Sequence, residues 1–93
     1  RKELYKQAVE KWGYELQLVM LMEESAELIQ ATSKVLRKGK TDTSVYRNLV
    51  EEIADVEIMV EQIKNATDWN NLVERVEIAK HDKMLRLKDM LEK

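Results

Sequence analysis

Apolar side chains recur at intervals of three and four residues over the first part of the chain, the period of an α-helix that packs on one side. This seam consists of Tyr5, Val9, Trp12, Leu16 and Val19. The pattern predicts a helix from about Lys2 to Lys38, which Gly13 bends or breaks. We expect Gly39 to end the helix in the left-handed cap conformation, with basic residues at the negative end of the helix dipole.

Two further helices are predicted along the rest of the chain. Residues 41–44, Thr-Asp-Thr-Ser, offer N-cap side chains for a helix over about 44–65. The seam of this helix consists of Val45, Leu49, Glu52, Val56, Met59 and Ile63. Asp68 can cap a last helix over about 69–91. Its apolar positions are Leu72, Val76, Ala79, Leu87 and Met90. We predict a single all-α domain over residues 1–93.

The composition agrees with a helical protein and limits its partners. Proline is absent, 44% of the residues are apolar and 37% are charged. Acidic side chains outnumber basic ones by 18 to 16, so no positive field attracts nucleic acid or an anionic membrane. There is no cysteine for a disulfide, and the longest apolar run, five residues, is too short to span a membrane. We therefore expect a cytoplasmic protein with no nucleic-acid or membrane partner.

The length of the first predicted helix indicates association with other chains. A continuous helix of about 35 residues would be roughly 50 Å long, whereas a compact chain of this size has a radius of gyration of about 12 Å. Apolar residues also surround the helix between Leu18 and Ile29, so a single neighbouring helix cannot cover them all. We predict a helical bundle that assembles into a homodimer or a homotetramer.

Acidic residues interrupt both long helices on their packed sides. Glu23, Glu24 and Glu27 follow the apolar run of the first helix, whereas Glu52 and Asp55 lie along the seam of the second. Each helix therefore directs carboxylates spaced three residues apart toward the interior of the bundle. Ionised carboxylates brought together there repel one another unless a cation lies between them. We predict a divalent metal ion held by four of them: Glu24, Glu27, Glu52 and Asp55.

The lack of nitrogen and sulfur ligands narrows the choice of metal. Carboxylates alone are hard oxygen ligands, which suit Mg²⁺, or Mn²⁺, better than zinc. A di-iron bundle would need two Glu-x-x-His pairs, and the only histidine, His81, belongs to none. The alternative is an ordinary solvated helix face, as we expect for Glu74 and Glu77. Position on the apolar seams favours the metal site.

The two acidic motifs resemble those of a known enzyme superfamily. Glu23-Glu24-Ser25-Ala26-Glu27 has the form E-E-x-x-E, and after a further 24 residues Glu52-Ile53-Ala54-Asp55 has the form E-x-x-D. On two long helices separated by a basic glycine loop, this combination is similar to that of the MazG-like all-α nucleoside triphosphate pyrophosphohydrolases. The similarity runs from about Trp12 to Ile63. It implies a bundle of about four helices per chain, assembled as a dimer or tetramer.

The resemblance also implies an activity and roles for single residues. Such enzymes use Mg²⁺ to cut an NTP or dNTP between the α and β phosphates, releasing a monophosphate and pyrophosphate, and the two motifs supply the metal ligands. Glu23 matches a position suited to a residue that supports the metal ligands without binding the ion, or to the base that orients water. In the last helix only Lys83-Met84-Leu85-Arg86 matches, as K-x-x-R. Lys83 and Arg86 are candidates for neutralising charge on the phosphates; ordinary surface cations are the alternative.

Other residues are candidates for contact with a substrate. Lys38 belongs to a basic cluster that complements the helix dipole, and contact with the triphosphate is the alternative role. The cluster consists of Lys34, Arg37, Lys38 and Lys40. Trp12 can stack on a base, although core packing is favoured. Tyr46 and Trp69 remain open between these two roles.

Two other functions remain open from the sequence. One is a non-catalytic helical interaction module, in which the carboxylates hold only a structural or regulatory metal. The other is a phosphoribosyl-ATP pyrophosphohydrolase, which shares the superfamily and the mechanism but serves histidine synthesis. Intact E-x-x-E and E-x-x-D pairs favour an enzyme over a module, and the poor match outside these motifs disfavours the histidine-pathway enzyme.

Overall fold

Helices account for nearly all of the chain. The computed structural model describes residues 1–66 and 69–93. Its α-helices are α1 (Lys2–Trp12), α2 (Tyr14–Lys38), α3 (Thr43–Ala66) and α4 (Leu72–Leu91), and a short 3₁₀ turn, Trp69–Asn71, precedes α4. No β-strand occurs in these two described ranges, which confirms the predicted all-α class. The predicted second helix corresponds closely to α3.

Two glycines separate the first three helices. Gly13 has φ 83° and ψ 159°, and Gly39 has φ 91° and ψ 155°. Positive φ with extended ψ is essentially accessible to glycine alone. The N–H of Gly39 closes α2 by donating to the Val35 carbonyl at 2.9 Å. The predicted left-handed cap is nevertheless wrong in ψ, because the extended value turns the chain out of the helix and into the loop.

Because the chain turns at Gly13, α1 packs mainly against α3. Tyr5 is buried, and its hydroxyl donates a hydrogen bond to the carboxylate of Glu61. This hydrogen bond raises the pKa of the Tyr5 hydroxyl. Arg1 forms an ion pair with the same carboxylate at 3.4 Å. Gly13 therefore breaks the predicted long helix and gives its first segment a separate packing partner.

An antiparallel hairpin of α2 and α3 contains most of the core. The side-chain amide of Gln62 donates to that of Gln17 near one end, and Glu24 meets Asp55 seven residues further along each helix. Among the residues whose side chains the structure describes, the buried apolar ones are Tyr5, Ala31, Val45, Met59 and Ile63. The seam predicted for α3 is confirmed, because each of its positions is buried or half-buried.

The seam predicted for the first helix is wrong from Trp12 onward. The side chains left exposed are Trp12 (51%), Leu16 (42%) and Val19 (42%). Instead, Gln17 and Ala31 are buried against α3, with the half-buried Glu24 midway between them. The prediction continued the apolar spacing of α1 past Gly13. A new helix, α2, begins after Gly13, and a different set of its positions faces α3.

Asp42 is the N-cap of α3. Its Oδ1 accepts hydrogen bonds from the Ser44 N–H at 3.1 Å, the Ser44 hydroxyl at 2.8 Å and the Val45 N–H at 3.2 Å. These bonds, with that of the Ser44 hydroxyl foremost, hold the pKa of Asp42 below its ordinary value. The N-cap predicted within residues 41–44 is thus confirmed.

The start of α4 differs from the prediction. Asn70 (φ 52°) and Asn71 (φ 59°) have left-handed backbones, so α4 begins at Leu72 instead of Trp69. Asparagine tolerates this conformation better than most residues. The predicted cap, Asp68, lies outside the described residues.

The least embedded helix is α4, in which no residue is buried. Its first half is joined to α3 by an ion pair in which Lys64 lies 3.8 Å from Glu77. Leu72 and Val76 are half-buried there. The predicted core positions that stay exposed are Ala79, Leu87 and Met90. That part of the prediction is wrong for a single chain, because the second half of α4 has no helix of its own chain against it.

The separation of α4 from the hairpin makes the chain extended. Its radius of gyration is 16.3 Å, against about 12 Å for a compact chain of this length. The extents along the principal axes are 41, 37 and 20 Å. Among the described residues, no helix combines the length and apolar content needed to cross a bilayer.

Candidate metal centre

Three carboxylates meet where α2 faces α3. Glu24 of α2 and Glu52 and Asp55 of α3 each offer an oxygen, and these oxygens lie within 4.8 Å of one another. The antiparallel register brings them together, because each occupies the side of its helix that faces the other. Mg²⁺ holds oxygens at about 2.1 Å, which spaces neighbouring ligands about 3 Å apart. Small rotations of these side chains would close the triangle around one ion.

Part of this cluster is withdrawn from solvent without compensating hydrogen bonds. Glu24 and Glu52 are half-buried, and Oε2 of each is enclosed with no donor among the described residues. An enclosed carboxylate oxygen without a donor is costly unless a cation or proton meets it. Asp55 is exposed, so the cluster has an open side. The cluster therefore suits a hard divalent cation. It offers only carboxylate oxygens, two of them are enclosed without a donor, and one side is open to solvent.

Without a bound cation, the surroundings of the cluster oppose the ionisation of Glu24 and Glu52. Burial, followed by the charges of Glu27, Asp55 and Glu52, raises the pKa of Glu24. Burial, followed by Glu27 and Asp55, likewise raises the pKa of Glu52. The neighbouring charges thus add to burial in opposing the ionisation of Glu24 and Glu52. A bound cation would reverse this preference.

Glu27 and Glu23 lie at the edge of the cluster. Glu27 is exposed and outside the group of converging oxygens, but it is close enough to raise the pKa of both Glu24 and Glu52. Glu23 is also exposed. Around the circumference of α2, the order of positions runs from Glu24 at the seam through Glu27 to Glu23. The structure thus brings three of the four predicted ligands together and places Glu27 beside them.

The predicted cationic residues lie apart from the carboxylates within this chain. Lys83 and Arg86 line a groove formed by α4 alone. Both Lys83 and Arg86 are exposed. None of the ion pairs among the described residues joins either cation to the cluster.

The predicted substrate contacts are also dispersed. Trp12 is half-exposed at the end of α1, with Lys11 Nζ 5.4 Å from its ring centroid, so the favoured core role is wrong for the single chain. Lys38 lies in the last turn of α2, as the dipole interpretation predicts, roughly 16 Å along the helix from Glu27. Trp69 packs edge-to-face on Tyr14 at 5.2 Å between ring centroids. Tyr46 is 61% exposed and lines a groove with Val35 and Leu49.

Sequence reasoning missed a polar layer beside the carboxylates. Gln17 is fully buried and accepts a hydrogen bond from Gln62. The Gln17 Nε2 and the Tyr14 hydroxyl are buried and have no partner among the described residues. The signal was a spacing of seven residues, since Gln17 precedes Glu24 by the same interval at which Gln62 follows Asp55.

Comparison of the chain with protein-family models, with curated proteins and with solved structures finds no match. The likeness to the MazG-like superfamily therefore stays a prediction from the two acidic motifs. The geometry of the carboxylates stands independently of that likeness, because it follows from the packing of α2 on α3.

Proposed function

We propose that this chain is a Mg²⁺-dependent nucleoside triphosphate pyrophosphohydrolase of the MazG-like kind, which converts an NTP or dNTP and water into a monophosphate and pyrophosphate. The observation that carries the proposal is the meeting of oxygens from Glu24, Glu52 and Asp55 within 4.8 Å. In two of these carboxylates, those of Glu24 and Glu52, one oxygen is buried and has no hydrogen-bond donor among the described residues. Ionisable groups kept in a packed seam at such a cost are typical of a functional site.

Glu24, Glu52 and Asp55 would hold Mg²⁺, with Glu27 as the fourth carboxylate on the open side. This hard oxygen set suits Mg²⁺, and Mn²⁺ is the closest substitute. When bound, the ion supplies positive charge that neutralises the triphosphate and polarises its phosphoryl oxygens. Without added positive charge, the carboxylates would repel a polyanionic substrate.

Residues of the chain itself would act on the α–β anhydride bond. The oxygen of water forms a bond to phosphorus, and the bond from that phosphorus to the oxygen bridging the α and β phosphates breaks. The products are the monophosphate and pyrophosphate, and one proton is released. Glu23, exposed next to Glu27, can accept that proton as a general base. Lys83 and Arg86 are the candidates for stabilising charge that builds up on the phosphates.

The proposal includes a homo-oligomer, either a dimer or a tetramer. Its support is the open shape of the single chain and the exposure of apolar residues such as Trp12. Trp12 can stack on a base, and Lys38 can contact phosphates, only where the assembly brings them to a carboxylate centre. Both residues lie outside the cluster of their own chain.

The test is pyrophosphate release from a panel of NTPs, dNTPs and phosphoribosyl-ATP in the presence of Mg²⁺. Glu52→Gln replaces a negatively charged metal ligand by a neutral amide of nearly the same size. We expect the rate of pyrophosphate release to fall by at least about 100-fold. Glu57→Gln is the matched control, because it removes the same charge from an exposed position on another side of α3. This control is expected to retain the native rate.

Each outcome of this experiment discriminates between the functions. A native chain inert on every nucleotide, or a Glu52→Gln chain as active as native, would contradict the proposal. Calorimetric binding of Mg²⁺ without turnover would favour the non-catalytic module. Cleavage confined to phosphoribosyl-ATP would assign the chain to the histidine-pathway activity.

A further inference from the structure

A second apolar stripe runs along α2 on the side away from α3. This outer stripe consists of Val19, Met22, Ile29 and Leu36, which are exposed by 42, 64, 69 and 85%. At about 100° per residue, these positions lie roughly half a turn around the helix from the seam that faces α3. The α2 helix is therefore apolar on two opposite sides, and the chain itself covers only one of them.

The exposed area indicates what covers the outer stripe. The chain of 11.0 kDa exposes 7550 Å², whereas a compact monomer of that mass exposes roughly 5,600 Å². The excess is roughly 1,900 Å² per chain, or about 3,800 Å² for two chains, which lies in the range of obligate homodimer interfaces. A second copy fits this area, because each chain carries both an uncovered stripe and an uncovered helix.

The uncovered helix is the second half of α4. Its apolar stripe consists of Met84, Leu87 and Leu91, exposed by 61, 44 and 78% and spaced by three and four residues. Lys83, Arg86 and Lys88 alternate with these apolar residues, and no acidic residue occurs in this basic segment, residues 83–88. The segment combines an apolar face with a uniform positive charge.

The charge along α2 is divided in the complementary way. Residues 14–28 contain four glutamates and no cation, whereas residues 29–38 contain three cations and no acid. A basic segment lying along α2 is attracted to the first half and repelled by the second. The basic segment lies at the end of α4, so this preference selects antiparallel packing of the two helices.

We propose that α4 of one chain packs antiparallel along the outer stripe of α2 in a second copy, and that its Lys83 and Arg86 complete the carboxylate centre of that copy. The two-fold symmetric arrangement repeats the contact, so a pair of chains contains two composite centres. The packing is inferred from the exposed apolar area and from the complementary charges of α2 and the basic segment. The role of the two cations rests in addition on the proposed function.

The order of positions around α2 connects the outer stripe to the carboxylates. From Val19 at the edge of the stripe, the glutamates follow around the helix in the order Glu23, Glu27 and Glu24, with Glu24 at the seam. A helix packed on the stripe therefore has an acidic border that leads into the metal centre. Lysine and arginine side chains are long enough to reach across such a border while their stems cover apolar surface.

The mass of the chain in solution tests the interface without any reference to activity. Light scattering should give the native chain at least twice 11.0 kDa. Met22→Glu and Leu87→Glu should each return it to the monomer, because each buries a charge in the apolar contact. Leu4→Glu, on α1 and away from the interface, should keep the native mass. A monomeric native chain, or an oligomer that survives both interface variants, would overturn the packing.

Disulfide trapping tests the direction of packing, and the absence of native cysteine makes each introduced thiol unique. Chains carrying Met22→Cys and chains carrying Leu87→Cys, once mixed and oxidised, should form a mixed disulfide in high yield. Met22→Cys mixed with Val73→Cys is the control, since Val73 lies at the opposite end of α4. Equal or higher yield for the control pair would overturn the antiparallel arrangement.

Complementation tests whether the cations act across the interface. Glu52→Gln chains and Arg86→Ala chains, each with little activity alone, should together recover about a quarter of the native rate, because half of the pairs are mixed and each mixed pair has one complete centre. Glu52→Gln mixed with Glu24→Gln should recover nothing, because both changes affect the same cluster. No recovery in the first mixture, where native chains are active and mixed disulfides form, would overturn the composite centre alone. A native chain without activity would contradict the proposed function and leave the packing to be judged by mass and trapping.

Discussion

The α2–α3 hairpin and α4 are built from similar residues but differ in what they bury. α3 buries Val45, Met59 and Ile63 within the chain, whereas α4 buries none of its residues. Both helices repeat apolar positions at intervals of three and four. A helix in water gains most of its stability by covering its apolar face. The difference shows that spacing identifies a helix and its apolar face, while only tertiary or quaternary packing decides what covers that face.

The hairpin itself contains a second contrast, between an apolar seam and its acidic centre. Met59 and Ile63 are buried like ordinary core residues, yet Glu24 and Glu52 occupy the same seam with raised pKa values. Carboxylates in such a position stabilise a fold less than apolar residues of similar size. The candidate site therefore lowers the stability of the hairpin, although the hairpin contains most of the core of the chain.

The largest expected effect comes from removing a core side chain of the hairpin. Met59 is 5% exposed, and Met59→Ala should lower the free energy of unfolding by about 2–5 kcal/mol through lost burial and a residual cavity. The measurement is urea denaturation at several protein concentrations. The loss should be present at every concentration, because this contact lies within one chain.

Met84→Ala is the matched control for that experiment, since Met84 is 61% exposed on α4. At concentrations where the chain is monomeric, its effect should stay within about 0.5 kcal/mol. At higher concentrations, a loss should emerge as the oligomer forms. A loss of equal size for both methionines in the monomer would contradict the contrast between hairpin and α4.

Mg²⁺ should stabilise the acidic centre of the hairpin. At a concentration about a hundred times its Kd, a ligand that binds only the folded state adds about 2.7 kcal/mol to the free energy of unfolding. We expect Mg²⁺ to raise the Tm of the native chain and of Glu57→Gln, but not that of Glu52→Gln. A rise of the same size in Glu52→Gln would locate the cation elsewhere.

The same centre should make stability depend on pH when Mg²⁺ is removed. The folded pKa values of Glu24 and Glu52 are raised, so the folded chain retains protons that the unfolded chain has lost. Stability without Mg²⁺ should therefore be fully present below the ordinary carboxyl pKa and decline as pH rises through the folded values. Tm measured with a chelator should fall with pH less steeply for Glu52→Gln. A Tm that rises with pH equally in both chains would be contrary evidence.

The elements of the fold could largely be predicted from the sequence, because they depend on local signals. Gly39, the cap at Asp42 and the apolar period of α3 each act within a few residues, and the structure agrees with the helices they predict. The phase of α2 could not be predicted, since the angle at Gly13 depends on where α1 packs. The covering of α4 could not be predicted either, because it involves residues distant in sequence.

The candidate site shows the same division. Glu52 lies on the seam as predicted because α3 is unbroken and strongly periodic, whereas Asp55, which was predicted to face the interior, is exposed at the edge of the cluster. Glu24 reaches the seam through the helix phase that follows Gly13, which the apolar spacing of α1 does not determine. The seven-residue spacing places Gln17 and Gln62 level with each other only once Glu24 is known to meet Asp55, so their buried pairing follows from the register of the hairpin.

A smaller effect is expected at Gly13, the residue that separates the two packing regions of α1 and α2. Its φ of 83° is unfavourable for any residue with a Cβ, although no atom would lie within 4 Å of that Cβ. Gly13→Ala should therefore lower the free energy of unfolding by about 1–3 kcal/mol through backbone strain alone. The control is Ser33→Ala, an exposed position within α2. Unchanged stability in Gly13→Ala would show that α1 and α2 can join without this turn.

The smallest effect is expected at the ends of the two helices under comparison. Asp42 caps α3 through three hydrogen bonds, whereas Asn71, at the N-cap of α4, forms no side-chain capping bond. Asp42→Ala should lower the Tm by roughly 5 °C at neutral pH, and Asn71→Ala by much less.

The folded pKa of Asp42 is lowered, so its contribution to stability is present above the ordinary aspartate pKa and is lost as pH falls through the folded value. The gap between Asp42→Ala and native should thus close in acid, while Asp42→Asn, which keeps a capping oxygen, should lose little at any pH. Equal effects at Asp42 and Asn71 would mean that the cap adds nothing to the advantage of the hairpin, which would then come from packing alone.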